Sequence, residues 1–364
     1  MDAALDFLPL PRVDKDLSLG EGDTPCLRLH NLEKKFHIPW IWAKDETANP
    51  THSFKDRGTF LAIQMAVRAG VLRIGTVSTG NMAVSTAAYG ARAGLETFVL
   101  LKENAPPLNR AAAGAYSAHL IEVKGNYGEL FRKSFSIGRD ENIYFMNSVD
   151  PFRIEGYKVT AFEIFLQLGR KAPDFVFVPV SSGGHMIGLI KGWEELRQAG
   201  FIRKCPFFVG VQTRGCAPIA AAFEMGRLEV QKVKKPRTIA KAISNPDPPG
   251  GRLLLWMLRK RPGAIMGVSD TRLLKAQREL AEHEGLFVQP ASAAAFAAVL
   301  EFARKKRFTA RNTIVMILTG SGFKALDDAS PPAVKRTDLK RLHNAIRESL
   351  SPCLSPSRGN FSKP

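Results

Sequence analysis

Short apolar runs rich in Val, Ile and Phe alternate with longer amphipathic stretches from about residue 40 to residue 318. That alternation constrains the fold more than any other feature of the chain. Strand candidates fall at 40–43, 75–78, 96–101, 119–123, 143–146, 175–180, 207–212, 265–268 and 312–318, bounded by Gly, Asp or Pro. Helical candidates lie between them, at 54–67, 82–93, 152–168, 186–198, 271–284 and 291–305. Strands alternating with crossover helices build parallel α/β sheets. So many strands suit two such sheets better than one, which predicts an α/β, two-lobed body, each lobe a mostly parallel twisted sheet flanked by helices.

Several function classes are disfavoured by composition. The chain carries 52 Lys and Arg against 34 Asp and Glu, a net charge of +18. The excess is spread over Lys232, Lys234, Lys235 and Arg237, over Lys305, Lys306 and Arg307, and over the tail. It is not gathered into one basic, aromatic-interleaved module, so a nucleic-acid partner is not expected, whereas anionic small molecules suit such a surface. The cysteines at 26, 205, 216 and 353 show no paired spacing, and the histidines no H-E-x-x-H, so neither a disulfide framework nor a metal site is expected. No apolar run approaches the roughly 20 residues of a membrane span. The first residues lack the pattern of a signal peptide, and a cytoplasmic protein is the expectation. Residues 331–364 read as a basic helix over 338–349 followed by a disordered Ser/Pro-rich end.

Four segments carry the chemistry. In Lys44-Asp-Glu-Thr-Ala-Asn-Pro-Thr-His-Ser-Phe-Lys-Asp-Arg-Gly58 a strand end and an Asn-Pro turn lead into a helix with Lys55 in its first turn. The macrodipole disfavours a cation there, and a lysine of lowered pKa is what a Schiff-base nucleophile requires. From this segment alone a solvated Lys55-Asp56-Arg57 face is an equal reading. Ser78-Thr-Gly-Asn-Met-Ala-Val-Ser85 follows a strand and opens an Ala-rich helix, the pattern of an anion site or of a plain helix cap. Val178-Pro-Val-Ser-Ser-Gly-Gly-His-Met186 is again strand, Gly-rich turn and helix, suited to a phosphate but matching no mononucleotide motif. Ile317-Leu-Thr-Gly-Ser-Gly-Phe323 presents hydroxyls at a strand's carboxyl edge, where open α/β sheets bind ligands, or else is a turn.

In this order the four segments resemble the threonine synthase branch of the pyridoxal-phosphate enzymes related to the tryptophan synthase β-subunit. The resemblance spans most of residues 18–325. It includes Glu21-Gly-Asp-Thr-Pro25, Asn147-Ser-Val-Asp-Pro-Phe-Arg-Ile-Glu-Gly156, Val268-Ser-Asp270 and Gln289-Pro-Ala-Ser-Ala293. It implies pyridoxal 5'-phosphate in a cleft between the lobes, with Lys55 as the lysine that carries it. Asn81 would bond the cofactor's phenolic oxygen, Ser181, Ser182, Gly183, Gly184 and His185 its phosphate, and Thr319 would face its pyridine nitrogen. Ser78, Thr79, Gly80 and Met82 would line the substrate carboxylate, and Asn147, Ser148 and Arg153 the phosphate of a phosphorylated amino acid. A helix-surface ion pair with Glu155 or Glu163 is the alternative for Arg153. The resemblance further implies a large lobe of 1–75 and 156–330, a small mobile lobe of 76–155, a homodimer, and conversion of O-phosphohomoserine and water to threonine and phosphate.

The chain departs from the family pattern in three places. Ser-Ser-Gly-Gly-His stands where Gly-Asn-x-Gly-Asn is common, Met82 where a small hydroxyl residue is usual, and Gln289 where Glu is expected. These changes motivate a sibling reading, either β-replacement on O-phosphoserine or Ser/Thr dehydration, and more distantly a non-catalytic binding protein. His185 could take over a substrate contact, with a charge that varies with pH.

Overall fold

A computed structural model describes residues 6–328 except 104 and 126, together with residues 336 and 338–349. Its described strands are β1 (Cys26–Arg28), β2 (Ile41–Asp45), β3 (Arg73–Val77), β4 (Glu96–Lys102), β5 (His119–Val123), β6 (Tyr144–Phe145), β7 (Phe175–Pro179), β8 (Phe207–Thr213), β9 (Gly263–Val268) and β10 (Ile314–Leu318). They form a six-stranded sheet of order β1-β2-β10-β7-β8-β9 and a four-stranded sheet of order β5-β4-β3-β6. Every pairing is parallel except β1 with β2. Each strand expected from sequence is present. The one not expected, β1, is a three-residue antiparallel edge, Cys-Leu-Arg, too short to show a period.

Strand composition follows from burial on both faces. In β10 all five residues are buried. Val315 and Ile317 enter one core with Trp193, Phe165 and Phe208, while Ile314, Met316 and Leu318 enter the other with Phe177, Phe296 and Val209. Successive side chains leave a strand on opposite faces, so a centre strand covered by helices on both sides must be apolar throughout.

Two helices position the site, Lys55–Arg68 and Pro151–Gln167. They cross at glycines. A Cβ on Gly156 would stand 2.2 Å from the Arg57 carbonyl oxygen, and one on Gly58 would stand 2.5 Å from the Tyr157 ring. Backbone cannot yield as a side-chain tip can. Gly156→Ala is therefore expected to destabilise the fold by about 3 kcal/mol or more, read as a fall in thermal midpoint, and an unchanged midpoint would refute this close approach.

The same helices share a buried ion cluster. Arg57 donates to Glu46 at 2.5 Å and to Glu163 at 2.6 Å, and Lys44 donates to Glu163 at 2.6 Å. Burial alone would raise Glu163, but Arg57 and Lys44 hold it below the usual carboxylate range. Two cations thus balance two carboxylates, and removing one partner of such a set costs about 3–5 kcal/mol.

The described residues up to Asp327 group as one compact unit, separate from those beyond it. Among the latter, a 3-10 turn at Leu339–Arg341 leads into a helix at Leu342–Ser349. The disordered end expected after residue 349 lies outside the described residues. No described helix is long and apolar enough to cross a membrane.

Candidate functional site

The four chemical segments all leave the carboxyl ends of parallel strands. After β2, the loop that precedes the Lys55 helix is fastened to the end of β10: Ser53 bridges Gly320, and the Phe54 amide donates to the Thr319 carbonyl at 3.2 Å. Lys55 is the first residue of its helix, and its amine has neither an ion pair nor a hydrogen bond among the described residues. It stands 4.5 Å from the Phe54 ring centroid and 5.8 Å from that of Tyr157. Burial, and then the positive charge of Arg153, lower its pKa to about 7. The solvated-face reading therefore fails for this trio, since Asp56 and Arg57 are fully buried and Lys55 is half-buried. A neutral amine is the nucleophile, so uptake of pyridoxal 5'-phosphate by cofactor-free protein should rise with pH and reach half its plateau rate near pH 7. An absorbance midpoint near that of ordinary lysine would refute the shift.

After β3, Ser78, Thr79 and Gly80 turn into the helix Asn81–Arg92. The Ser78 hydroxyl accepts the Gly80 amide at 3.2 Å, and Asn109 donates to the Thr79 carbonyl at 3.1 Å. Asn81 donates to Gln289 Oε1 at 3.1 Å, which ties this loop to the start of the helix Pro290–Arg304. Gln289, one of the departures, thus orients Asn81 as a neutral acceptor. Met82 is buried.

After β7, Gly183 adopts a left-handed φ of 98° and starts the helix Gly184–Gln198, whose first amides have no side-chain cap. A Cβ on Gly184 would stand 2.4 Å from the Ser148 carbonyl oxygen, so the turn needs glycine there. Free amides at a helix start suit a phosphate. Ser182 Oγ accepts from Asn245 at 2.8 Å, and Ser181 is partly exposed. His185 is buried, stacked on Phe54 with ring centroids 3.9 Å apart, and both its nitrogens lack a partner. Burial, with the charges of Lys55 and Arg57, holds it well below its usual pKa. The ring is neutral, so the pH-variable charge expected from sequence does not arise here.

At the end of β10, Thr319 Oγ1 lies 2.9 Å from Ser292 Oγ. On the small-sheet side, Asn147 Oδ1 accepts the Val77 amide at 2.9 Å while its Nδ2 donates to Ser134 at 2.9 Å. Its amide is thus already engaged in holding β3. Arg153 is fully buried; it donates to the Met146 carbonyl at 2.6 Å and to Thr59 and Thr86 hydroxyls at 2.7 Å. The surface ion pair considered for it is not made: Glu155 pairs with Lys158, and Glu163 with Arg57 and Lys44.

Buried polar atoms without partners are costly, and several of those among the described residues belong to the segments of this site: Ser53 Oγ, Ser148 Oγ, Tyr157 Oη and both nitrogens of His185. With free helix amides at Gly184 and an unpaired amine, this donor set fits an anionic, aldehyde-bearing aromatic cofactor. Sequence reasoning did not single out Ser292, the Phe54 and Tyr157 walls, or Lys324. Lys324 donates to the Thr51 carbonyl at 2.7 Å, and burial lowers its pKa to about 8 although Asp56 opposes this. Ser292 lay inside a segment already read, and Lys324 one residue past another. Nothing in the sequence marks Phe54 and Tyr157 as neighbours.

A family described as "Pyridoxal-phosphate dependent enzyme" matches residues 17–320. The threonine synthase of Methanocaldococcus jannaschii is 39% identical over 349 residues, 94% of this chain and 86% of that protein. That of Halalkalibacterium halodurans is 37% identical over 320 residues, covering 88% and 87%. Among solved structures, a threonine deaminase from T.th. superposes with a TM-score of 0.72 at 25% identity, covering 88% of this chain and 100% of that one.

Proposed function

This chain belongs to the pyridoxal-phosphate dependent enzyme family, and on that premise we propose that it converts O-phosphohomoserine and water to threonine and phosphate. The observation that carries the substrate choice is Arg153, a buried guanidinium without an ion-pair partner among the described residues, whose charge acts on a lysine amine of pKa about 7. Relatives bearing the name threonine synthase at 32–39% identity support the same reading. The cofactor, bound through Lys55, supplies a conjugated ring that delocalises charge from the substrate's α-carbon. His185 and the amides from Gly184 would hold its phosphate, Asn81 its phenolic oxygen, and Thr319 would face its ring nitrogen. The Thr319 hydroxyl, unlike a carboxylate, does not force that nitrogen to stay protonated.

Lys55 takes the proton from Cα and then moves the proton at Cβ, for which an amine titrating near neutrality is matched. Ser78, Thr79 and Gly80 orient the substrate carboxylate. Arg153 and Ser148 stabilise the phosphate that leaves Cγ, as donors placed where charge develops. Asn147 supports them by fixing the end of β3. Arg153 is enclosed, so substrate enters when residues 76–155 swing open, and their closure keeps stray water out. Cofactor-loaded protein supplied with O-phosphohomoserine should release phosphate and threonine in equal amounts. Silence there, with ammonia released from unphosphorylated threonine or serine, would overturn the reading in favour of a dehydratase.

A further inference from the structure

The two buried arginines near Lys55 are treated oppositely. Arg57 is neutralised directly by two carboxylates. Among the described residues, the Arg153 side chain donates to neutral oxygens, those of Met146, Thr59 and Thr86. Those bonds engage three of the five N–H groups of a guanidinium and leave one on each terminal nitrogen. Its three ligands come from three different places: the end of β6, the Lys55 helix and the Asn81 helix.

The hydroxyl that receives Arg153 does not stop there. Thr59 Oγ1 lies 2.6 Å from Ser85 Oγ and 2.9 Å from the Lys55 carbonyl oxygen. Each hydroxyl has one proton, which restricts the pattern. A carbonyl oxygen can only accept, so the Thr59 proton goes to the Lys55 carbonyl. The Ser85 proton then points to Thr59 Oγ1, which accepts from both Ser85 and the Arg153 guanidinium. Thr59 is therefore the junction that ties Arg153 to the backbone of the Lys55 helix. Hydrogen bonds in series polarise one another, so the Thr59 oxygen becomes a better acceptor than it would be alone.

We propose that the Thr59–Ser85 hydroxyl pair, anchored on the Lys55 backbone carbonyl, is a positioning device that holds Arg153 in place while leaving its charge unneutralised for the substrate's phosphate. A carboxylate in direct contact would hold the arginine equally well but would repel and replace the incoming anion. Hydroxyl ligands keep the orientation and bring no negative charge. Thr59 and Ser85 are positioning residues that act through Arg153. The inference rests on the phosphorylated-substrate reading.

The test uses the cofactor-loaded protein and two probes, inorganic phosphate measured by calorimetry and O-phosphohomoserine measured by steady-state kinetics. Thr59→Val keeps the shape and removes the hydroxyl, Thr59→Ser restores it, and Ser85→Ala removes the hydroxyl one step farther away. In Thr59→Val and Ser85→Ala, the phosphate Kd is expected to rise about tenfold or more, the loss of a bond to a charged group, and kcat/KM for O-phosphohomoserine to fall by a similar factor. Thr59→Ser should return both towards wild type. A phosphate Kd equal to wild type, or no rescue by serine, would show a merely structural role and overturn the proposal. If Thr59→Val fails to fold, Ser85→Ala decides alone: phosphate affinity equal to wild type overturns it. Failure of the parent reading looks different, because wild type itself would then bind neither probe.

Discussion

Lys55→Ala is expected to lower phosphate release from O-phosphohomoserine by about 10³-fold or more, because one substitution removes both the covalent anchor and the base. The fold should survive. The amine makes no ion pair or hydrogen bond among the described residues, so its loss leaves no buried group unpaired. Thermal unfolding of the variant serves as the control, and absorbance should show that cofactor is no longer held covalently. A variant that keeps a tenth of the activity would remove Lys55 from its assigned role. Lys324 would then be the next amine to examine, because burial lowers its pKa too, to about 8.

Arg153→Met should lower kcat/KM for the phosphorylated substrate by about 10²–10³-fold, the usual magnitude for a charge-assisted contact made to a leaving group. Methionine fills much of the stem's volume, and no carboxylate depends on this guanidinium, so the variant should remain folded. Arg57→Met provides the contrast. It strands Glu46 in the interior, leaves Glu163 with Lys44 alone, and is expected to destabilise the fold by about 3–5 kcal/mol. An Arg153→Met enzyme that turns over O-phosphohomoserine at wild-type efficiency would remove the main support for a phosphorylated substrate. Activity on unphosphorylated threonine or serine, unchanged by the same substitution, would point to the dehydratase reading instead.

Much of this was legible in the chain. The parallel strands announced themselves because strands covered on both faces are apolar throughout, as Ile314–Leu318 and Phe175–Pro179 are. The loops announced themselves because a backbone that must turn sharply into a helix needs glycine, as at Gly183. β1 was not legible, since a three-residue edge has no period to read. His185 was legible as a loop residue, but its charge state was not, because that depends on what encloses the ring.

Local sequence therefore determined the strand–loop–helix units, the order of the site segments and the lysine at the start of its helix. Those properties follow from steric and hydrophobic patterns within a few residues of each position. Tertiary structure alone decided which groups are charged and which are free. Lys55 and Arg153 are 98 positions apart in the numbering, yet the positive charge of one lowers the proton affinity of the other. Arg57 and Arg153 look alike as residues, but one is closed by two carboxylates and the other donates to neutral oxygens. Electrostatic energies in a buried site depend on distances and burial, and those exist only once the chain has folded.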